Sequence, residues 1–180
     1  MKHREIALRD APRGREAWSR PVIVMVLWIL VERLLVTSSL QISSRIRIVA
    51  LRAFGARIGA RVVFRPRTRV KFPWNLEVGD DCWIGEGVWF HNQDKVIVGS
   101  NVCISQETFI TTGSHDWKRD MGLVTKGIQI EDYVWVAARC NILMGSVIGR
   151  DSIVGAGTTF KGALPPRCLV ASDGSIRMIE

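Results

Sequence analysis

Apolar residues recur at six-residue intervals along most of the chain, and this spacing predicts the fold. The first residue of each hexapeptide is aliphatic or phenylalanine, at Ile58, Phe64, Val70, Val78, Ile84, Phe90, Val98, Ile104, Ile110, Ile130, Val136, Ile142, Ile148, Val154 and Phe160. An amphipathic helix repeats near 3.6 residues and a β-sandwich strand alternates with period two, so neither matches this pattern. The spacing predicts an all-β fold, a parallel β-helix in which three hexapeptides form one coil of about 18 residues.

A second set of positions, four residues after the first, carries small or β-branched side chains and is also predicted to face inward. Its members are Val62, Thr68, Cys82, Val88, Val102, Thr108, Val134, Cys140, Ser146, Ser152 and Thr158. Cys82 and Cys140 are therefore expected in the core and not as nucleophiles. Glycine follows the first residue of six hexapeptides, where a backbone turning a corner benefits from having no Cβ, at Gly59, Gly79, Gly85, Gly99, Gly149 and Gly155.

The repeat is interrupted in two places. The interval from Val78 to Val98 is 20 residues long, which predicts a two-residue bulge. A larger break after Ile110 predicts a loop over residues 111–127 that leaves the regular wall and carries His115. Loops that project from a rigid scaffold are where functional residues concentrate.

Residues 1–53 precede the repeat and differ from it in composition. Val22 to Val31 is an unbroken apolar run, too short for a bilayer span of about 20 residues. The preceding charged stretch does not have the pattern of a removable signal peptide. The predicted organisation is a helical extension over 1–53, a β-helix domain over 54–170 and a tail over 171–180.

Helical spacing continues after the apolar run, with arginines among the apolar positions, at Ile42, Arg45, Ile46, Arg47, Val49, Arg52 and Ala53. Two interpretations stay open. The segment is either an amphipathic helix at a membrane surface or a helix that packs on the end of the β-helix. We expect a cytoplasmic protein that lies peripherally at the inner face of the cell membrane.

Positive charge is concentrated in residues 1–70, and its position indicates which class of binding partner to expect. Residues 1–70 hold 15 Lys and Arg against 4 Asp and Glu, within a chain of net charge +8. Such a surface suits phosphate groups. Because the basic residues are interleaved with a long apolar run, lipid headgroups are favoured over nucleic acid.

Cysteine and histidine usage argues against a metal cofactor and against disulfides. The four cysteines form no Cys-x-x-Cys pair. His91 and His115 are 24 residues apart without a third histidine nearby. A zinc-dependent carbonic anhydrase on a β-helix, which needs three histidine ligands, is therefore not expected.

Several motifs together resemble those of the hexapeptide-repeat acyltransferases over roughly residues 51–170. They are Phe54-Gly55-Ala56-Arg57-Ile58-Gly59, Lys71-Phe72-Pro73-Trp74-Asn75-Leu76, Ile104-Ser105-Gln106, Thr112-Gly113-Ser114-His115-Asp116, Val134-Trp135-Val136, Gly155-Ala156-Gly157 and Leu164-Pro165-Pro166. Within that family the chain is similar to colanic-acid-biosynthesis acetyltransferases and to galactoside and maltose O-acetyltransferases. The resemblance implies a left-handed β-helix, a homotrimer, active sites at subunit interfaces and acetyl-CoA as cosubstrate.

The resemblance also implies roles for individual residues. His115 matches the family's catalytic histidine, and Asn92 matches an asparagine near the acceptor hydroxyl. Trp135 matches a tryptophan beside the histidine loop. Positions that match the CoA-binding groove, including a lysine near its phosphates, are Ala138, Gly155, Ala156 and Lys161.

The chemistry of acyl transfer supports His115 independently. A sugar hydroxyl is hardly ionised near pH 7, so a base must take its proton, and histidine suits that role. Asp116 either shapes the loop or contacts the acceptor, and Trp117 either stacks on a sugar or packs at a trimer contact. The oxyanion donor is either the Asn92 amide or a backbone N–H.

These observations predict a CoA-dependent O-acetyltransferase that acts on a sugar or glycoconjugate, in exopolysaccharide or cell-surface glycan biosynthesis. The acceptor is a free sugar, a glycosylated small molecule or a lipid-linked sugar, and the apolar N-terminal segment favours the last. The alternative is a β-helix scaffold without catalysis in a membrane-associated glycan-synthesis complex.

Overall fold

The computed structural model describes residues 7–12, 14 and 18–179. Parts of the predicted N-terminal extension (1–6, 13 and 15–17) and Glu180 of the predicted tail lie outside the described residues. The helical elements are a 3₁₀ turn at Leu8–Asp10, helix α1 at Val22–Val31, a π-helical turn at Glu32–Val36, helix α2 at Ser44–Ala53 and a 3₁₀ turn at Pro73–Asn75.

Twenty short strands follow. They are β1 Arg57–Ile58, β2 Val63–Phe64, β3 Arg69–Val70, β4 Leu76–Val78, β5 Trp83–Ile84, β6 Trp89–His91, β7 Val96–Val98, β8 Cys103–Ile104, β9 Phe109–Thr111, β10 Gly113–His115, β11 Leu123–Thr125, β12 Ile128–Ile130, β13 Trp135–Val136, β14 Asn141–Ile142, β15 Val147–Ile148, β16 Ile153–Val154, β17 Thr159–Phe160, β18 Ala163–Leu164, β19 Cys168–Val170 and β20 Ile176–Met178.

Eighteen of the strands form three parallel sheets that wind into a left-handed β-helix of about six coils, which confirms the predicted fold class, and β10 and β11 form a separate pair. Face 1 is β1-β4-β7-β12-β15-β18, face 2 is β2-β5-β8-β13-β16-β19-β20, and face 3 is β3-β6-β9-β14-β17. Only β20 runs antiparallel to its neighbour β19 within these faces. All of the predicted inward positions of both sets are buried, so the periodic pattern identified the core correctly.

All extra residues enter at the corner between face 3 and face 1, here called the 3–1 corner. The register joins Ile58 to Val78 and Val78 to Val98, so the first coil is 20 residues long as well as the second. The sequence pattern indicated only the second bulge. In the first coil the 3₁₀ turn at Pro73–Asn75 holds the extra residues, and residues 112–127 leave the third coil at the same corner.

Glycine after the inward residue is required by the neighbouring coil. A Cβ built on Gly79 would lie 2.7 Å from the carbonyl carbon of Gly99, a backbone atom that cannot move aside.

A left-handed backbone conformation is found at a different position of the repeat, three residues after the inward residue. Nine of these positions are not glycine: Arg61, Arg67, Asp81, Asn101, Glu107, Tyr133, Arg139, Asp151 and Arg167.

The N-terminal helices cover the open end of the β-helix. On face 3, Trp28 Nε1 donates to the Val70 carbonyl at 2.8 Å, and the Glu32 carboxylate accepts the Val70 N–H at 2.7 Å. On face 2, Ser44 Oγ accepts the Phe64 N–H at 2.9 Å. These bonds satisfy strand-edge groups that would otherwise be free to pair with another chain.

Helix α2 completes the cap on face 1, where the Arg52 guanidinium donates to the Ile58 carbonyl at 2.6 Å. Arg47 is fully buried and not directed toward a membrane surface. Its guanidinium donates to the carbonyls of Val36, Ser38 and Gln41, which closes the turn between the two helices. The side of the helices that faces the β-helix is therefore buried by packing on its end, as the second of the two interpretations predicted.

Candidate active site at the 3–1 corner

The inserted segments of the first three coils stack on one another at the 3–1 corner. The Asn92 side chain accepts the Phe72 N–H at 3.1 Å and donates to the Phe72 carbonyl at 2.7 Å. One coil further along, the Asp94 N–H donates to Thr112 Oγ1 at 2.9 Å. The stack forms a shelf from which residues 112–127 emerge.

Residues 113–125 form a two-stranded antiparallel hairpin on this shelf. Strands β10 and β11 pair Gly113 with Thr125 and His115 with Leu123. The hairpin places His115 at its far end, exposed to solvent. The reactive side chain thus stands away from the β-helix wall on an ordered element.

The hydrogen bond of His115 fixes its tautomer. Nδ1 lies 2.8 Å from the Met121 carbonyl oxygen. A carbonyl oxygen can only accept, so Nδ1 carries a hydrogen, and in the neutral ring the free lone pair is on Nε2. Nε2 is therefore the atom that can take a proton.

Asp116 and Trp117 follow His115 at the tip of the hairpin. The Asp116 carboxylate accepts the Lys118 N–H at 3.2 Å, and its carbonyl accepts the N–H groups of Arg119 and Met121. These contacts shape the turn that presents the Met121 carbonyl to His115. The Trp117 side chain is 63% exposed beside the tip, where a ligand or a second chain can reach it.

A second histidine, His91, pairs in register with Thr111, two residues before the hairpin begins, and no role was predicted for it from the sequence. Lys71 Nζ lies 3.1 Å from His91 Nε2, and His91 Nδ1 lies 3.2 Å from Thr111 Oγ1. Lysine donates, so Nδ1 of His91 carries its hydrogen and donates to Thr111. Lys71, His91 and Thr111 are spaced by 20 residues, a signal that the coil length could have revealed.

His91 is held in its neutral form. Burial, followed by the positive charges of Lys71 and Arg69, lowers its pKa to about 4. Burial also lowers the pKa of Lys71. His91 is therefore a neutral hydrogen-bond link near pH 7.

Asn92 is fully buried, and both polar atoms of its side chain bond to the Phe72 backbone. In the single chain its amide faces the shelf and not the hairpin tip.

The remaining predicted residues lie on other parts of the β-helix. Ala138, Gly155 and Ala156 stack at the corner between faces 2 and 3, the 2–3 corner, where the Gly157 N–H donates to the Ala138 carbonyl. Trp135 stands on face 2, half exposed, with Nε1 bonded to Ser105 Oγ at 3.0 Å.

Lys161 directly follows β17, and its side chain is exposed at the 3–1 corner. One chain therefore does not bring His115 together with the residues of the 2–3 corner.

The cysteines on inward positions are buried, and burial raises the pKa of the Cys82 and Cys140 thiols. A thiol with a raised pKa is a poor nucleophile. Across the described ranges no group of three or more His, Cys, Asp or Glu side chains is placed to hold a metal ion.

Comparison with known proteins identifies the family. No family model matches the chain. WcaF of Escherichia coli strain K12, by name a colanic acid biosynthesis acetyltransferase, is 33% identical over 159 residues, which cover 88% of this chain and 87% of WcaF. The chain belongs to the hexapeptide-repeat acetyltransferases.

Solved structures of the family have the same fold. An acetyltransferase of Vibrio cholerae in complex with acetyl-CoA superposes with a TM-score of 0.78 at 23% identity and covers 88% of this chain and 87% of that chain. A galactoside acetyltransferase in complex with coenzyme A superposes with a TM-score of 0.71 at 20% identity and covers 95% of this chain and 84% of that chain.

Proposed function

We propose that the chain transfers an acetyl group from acetyl-CoA to a hydroxyl of a sugar or glycoconjugate, with His115 as general base. The observation that carries the proposal is the bond from His115 Nδ1–H to the Met121 carbonyl. In the neutral ring it leaves the free lone pair on Nε2, at the exposed end of a hairpin, on a chain that belongs to an acetyltransferase family.

The proposed reaction is a direct transfer in a ternary complex. His115 Nε2 removes the proton of the acceptor hydroxyl while the oxygen attacks the thioester carbonyl carbon. The tetrahedral intermediate then collapses, the carbon–sulfur bond breaks, and the imidazolium returns the proton to the CoA thiolate. The carbonyl–Nδ1 bond persists in both states because Nδ1 donates throughout.

The other predicted residues have roles in the same proposal. The CoA groove runs along the 2–3 corner past Ala138, Gly155 and Ala156, with Trp135 beside it. Lys161 lies at the 3–1 corner, so it reaches the CoA phosphates from the adjoining subunit. Asn92 positions the reacting groups from the shelf, and Asp116 and Trp117 meet the acceptor.

A homotrimer joins the two parts of the proposed site. The 3–1 corner carries His115 and the 2–3 corner carries the proposed CoA groove, and they lie on different edges of one chain. If the 3–1 corner of one subunit lies against the 2–3 corner of the next, both parts meet in each of three interfaces.

The test is release of CoA from acetyl-CoA by the purified protein with a panel of sugar and lipid-linked-sugar acceptors. His115→Ala should lower turnover by about 100-fold or more, the usual loss for a general base, with an unchanged assembly. Lys118→Ala, in the same hairpin, is the matched control. Equal turnover in His115→Ala would remove this residue from the mechanism, and no turnover in any protein would favour the scaffold alternative.

We also propose that the outer side of the N-terminal helices rests on an anionic membrane surface. No helix in the described part of the chain is long and apolar enough to cross a bilayer. The exposed side nevertheless carries an apolar groove with a basic residue at its rim, lined by Val31, Leu35, Arg45, Ile46, Val49, Ala50, Ala53 and Phe54. Apolar surface flanked by arginine is typical of interfacial helices.

Vesicle co-sedimentation tests this location. Ile46→Ser/Val49→Ser removes exposed apolar side chains without touching the buried side of α2, and it should reduce binding to anionic vesicles severalfold. Met178→Ser, which alters an exposed apolar side chain at the far end of the chain, should bind like the wild type. Equal binding by both variants would locate any membrane contact elsewhere.

A further inference from the structure

A cavity of about 600 Å³ lies between the segment that follows α1 and the first coils of the β-helix. Three guanidinium groups line it, those of Arg33, Arg67 and Arg69, against a single carboxylate, that of Glu107. The cavity is distinct from the hairpin, and the proposed catalytic step uses none of these residues.

The positive charge of the cavity is only partly neutralised. Arg67 pairs with a neighbouring glutamate at 2.8 Å, and the Glu107 carboxylate is itself held by Arg139 at 2.8 Å. Within the described residues Arg33 and Arg69 form no ion pair. Neither Arg33 nor Arg69 is therefore held in a salt bridge, although the Glu32 carboxylate interacts electrostatically with Arg69.

Arg69 is held in place by contacts that leave its charge available. Its guanidinium lies 3.7 Å from the centroid of the Trp89 ring. The nearby Glu32 carboxylate accepts the Val70 N–H and forms no ion pair with Arg69, although the positive charge of Arg69 opposes the rise in the pKa of Glu32 that burial causes. A guanidinium stacked on an aromatic ring keeps its N–H edges free for a planar or tetrahedral oxyanion.

Neutral donors complete the lining. The hydroxyls of Ser38 and Ser39 border the cavity, and neither has a hydrogen-bond partner among the residues that the structure describes. Phosphate oxygens are bound in proteins by this combination of arginine and hydroxyl donors. An uncharged sugar would leave the two guanidinium groups without an ion-pair partner.

We propose that this cavity binds a phosphate or diphosphate group of the acceptor, which makes the acceptor a phosphorylated sugar. This inference rests on the proposed acetyl transfer to a sugar hydroxyl. The cavity touches coils one to three through Arg67, Gly87 and Glu107, whereas the proposed CoA groove passes Ala138 and Ala156 in coils four and five. Phosphate sites for acceptor and donor are thus separated along the β-helix.

The phosphate group has two chemical sources, a nucleotide-activated sugar or a sugar diphosphate on an isoprenoid lipid. Leu40, which is 93% exposed, lies at the rim of the cavity, so an apolar chain would have a surface to contact there. Both sources present the same diphosphate to Arg33 and Arg69.

The first experiment measures binding of inorganic pyrophosphate to the full chain in the presence of saturating CoA, which fills the donor's own phosphate sites. Arg33→Gln and Arg69→Gln should each raise the dissociation constant by about tenfold, the effect of losing a charge-assisted contact. Arg57→Gln, an exposed arginine on face 1 that pairs with Glu77, should bind like the wild type. Equal affinity in all four proteins would overturn the proposal, as would complete loss of wild-type binding when CoA is added.

Arg33→Gln alters an exposed side chain without an ion pair, so it keeps the test valid if Arg69→Gln folds poorly. Pyrophosphate binding needs no turnover, and its outcome is therefore separable from failure of the acetyl-transfer proposal. The second experiment compares KM values for a sugar, its nucleotide diphosphate and its isoprenoid diphosphate. A KM at least about tenfold lower for either diphosphate supports the proposal and identifies the source, whereas equal KM values for all three would overturn it.

Discussion

The two described histidines lie at the same corner of the molecule but differ in exposure and in the partner of Nε2. His115 is exposed, and the only hydrogen bond of its ring among the described residues fixes a hydrogen on Nδ1. His91 is half-buried between Lys71 and Thr111, with both ring nitrogens engaged. A base needs a free lone pair that substrate can reach, and only His115 offers one. His91 instead links the shelf to the start of the hairpin.

The lowered pKa of His91 predicts a pH-dependent stability. In the folded chain this pKa is about 4, whereas an unfolded histidine titrates near 6.5. Between pH 6.5 and pH 4 the histidine is protonated in the unfolded state but neutral in the folded state. The contribution of His91 to the free energy of unfolding is therefore complete above about pH 6.5 and decreases as the pH drops toward 4. The Tm of the wild type should therefore fall between pH 7.5 and pH 4.5 by more than that of His91→Gln. Parallel Tm curves for the two proteins would show that His91 titrates normally.

Asn92 offers a test between a structural and a catalytic role. Because its side chain satisfies both backbone groups of Phe72, Asn92→Ala leaves a buried N–H and a buried carbonyl unpaired and should lower the free energy of unfolding by about 1–3 kcal/mol. Asn141→Ala, which removes only an exposed bond to Thr159, is the control. Urea unfolding gives the free energies. A loss of kcat without any loss of stability would instead place the Asn92 amide on the substrate.

Residues differ in how far the sequence reveals their role. The inward positions could be predicted because burial selects apolar side chains every six residues. The left-handed positions could not, because Arg61, Glu107 and Tyr133 have nothing in common as side chains and only three residues at equivalent positions, Gly87, Gly145 and Gly157, are glycine. Stacking of the coils imposes that conformation from outside the local sequence.

The N-terminal elements act as a cap, and this role was one of two that the sequence left open. Apolar runs with interspersed arginines suit both packing and a membrane surface, and the pattern alone cannot say which side of a helix is covered. Burial of Trp28 and Arg47 shows the packed side. The insertion in the first coil was not predicted either. Its Phe-Pro-Trp residues are apolar like those of the repeat, so the apolar pattern did not distinguish them from wall residues.

Because α1 caps the β-helix, we expect one substitution in it to lower the free energy of unfolding strongly. Trp28 is 1% exposed and bonds to the edge strand β3, so Trp28→Ala should lower the free energy of unfolding by about 3–5 kcal/mol. Ile29→Ala alters the adjacent residue, which is 54% exposed, and should change stability by less than about 0.5 kcal/mol. Denaturant unfolding compares the two variants. Similar midpoints for both would mean that α1 does not stabilise the β-helix.

At the scale of the whole molecule, the proposed site is divided between two edges of the chain. The hairpin with His115 leaves the 3–1 corner, whereas Ala156 is exposed at the 2–3 corner. A chain that must bring both to one substrate can do so by placing its own corner against the other corner of a second copy. Cyclic symmetry with three copies closes such a head-to-tail arrangement.

Mixed assemblies test this arrangement directly. His115→Ala removes the base and Ala156→Trp fills the proposed CoA groove, so each variant alone should be inactive as a homotrimer. When the two are unfolded together in equal amounts and refolded, an interface is active if one subunit supplies His115 and its neighbour supplies an open groove. Random assembly makes about one quarter of the interfaces active, and CoA release should recover to about that fraction of wild type. A site contained within one chain would give no recovery, because every chain in the mixture carries one of the two defects.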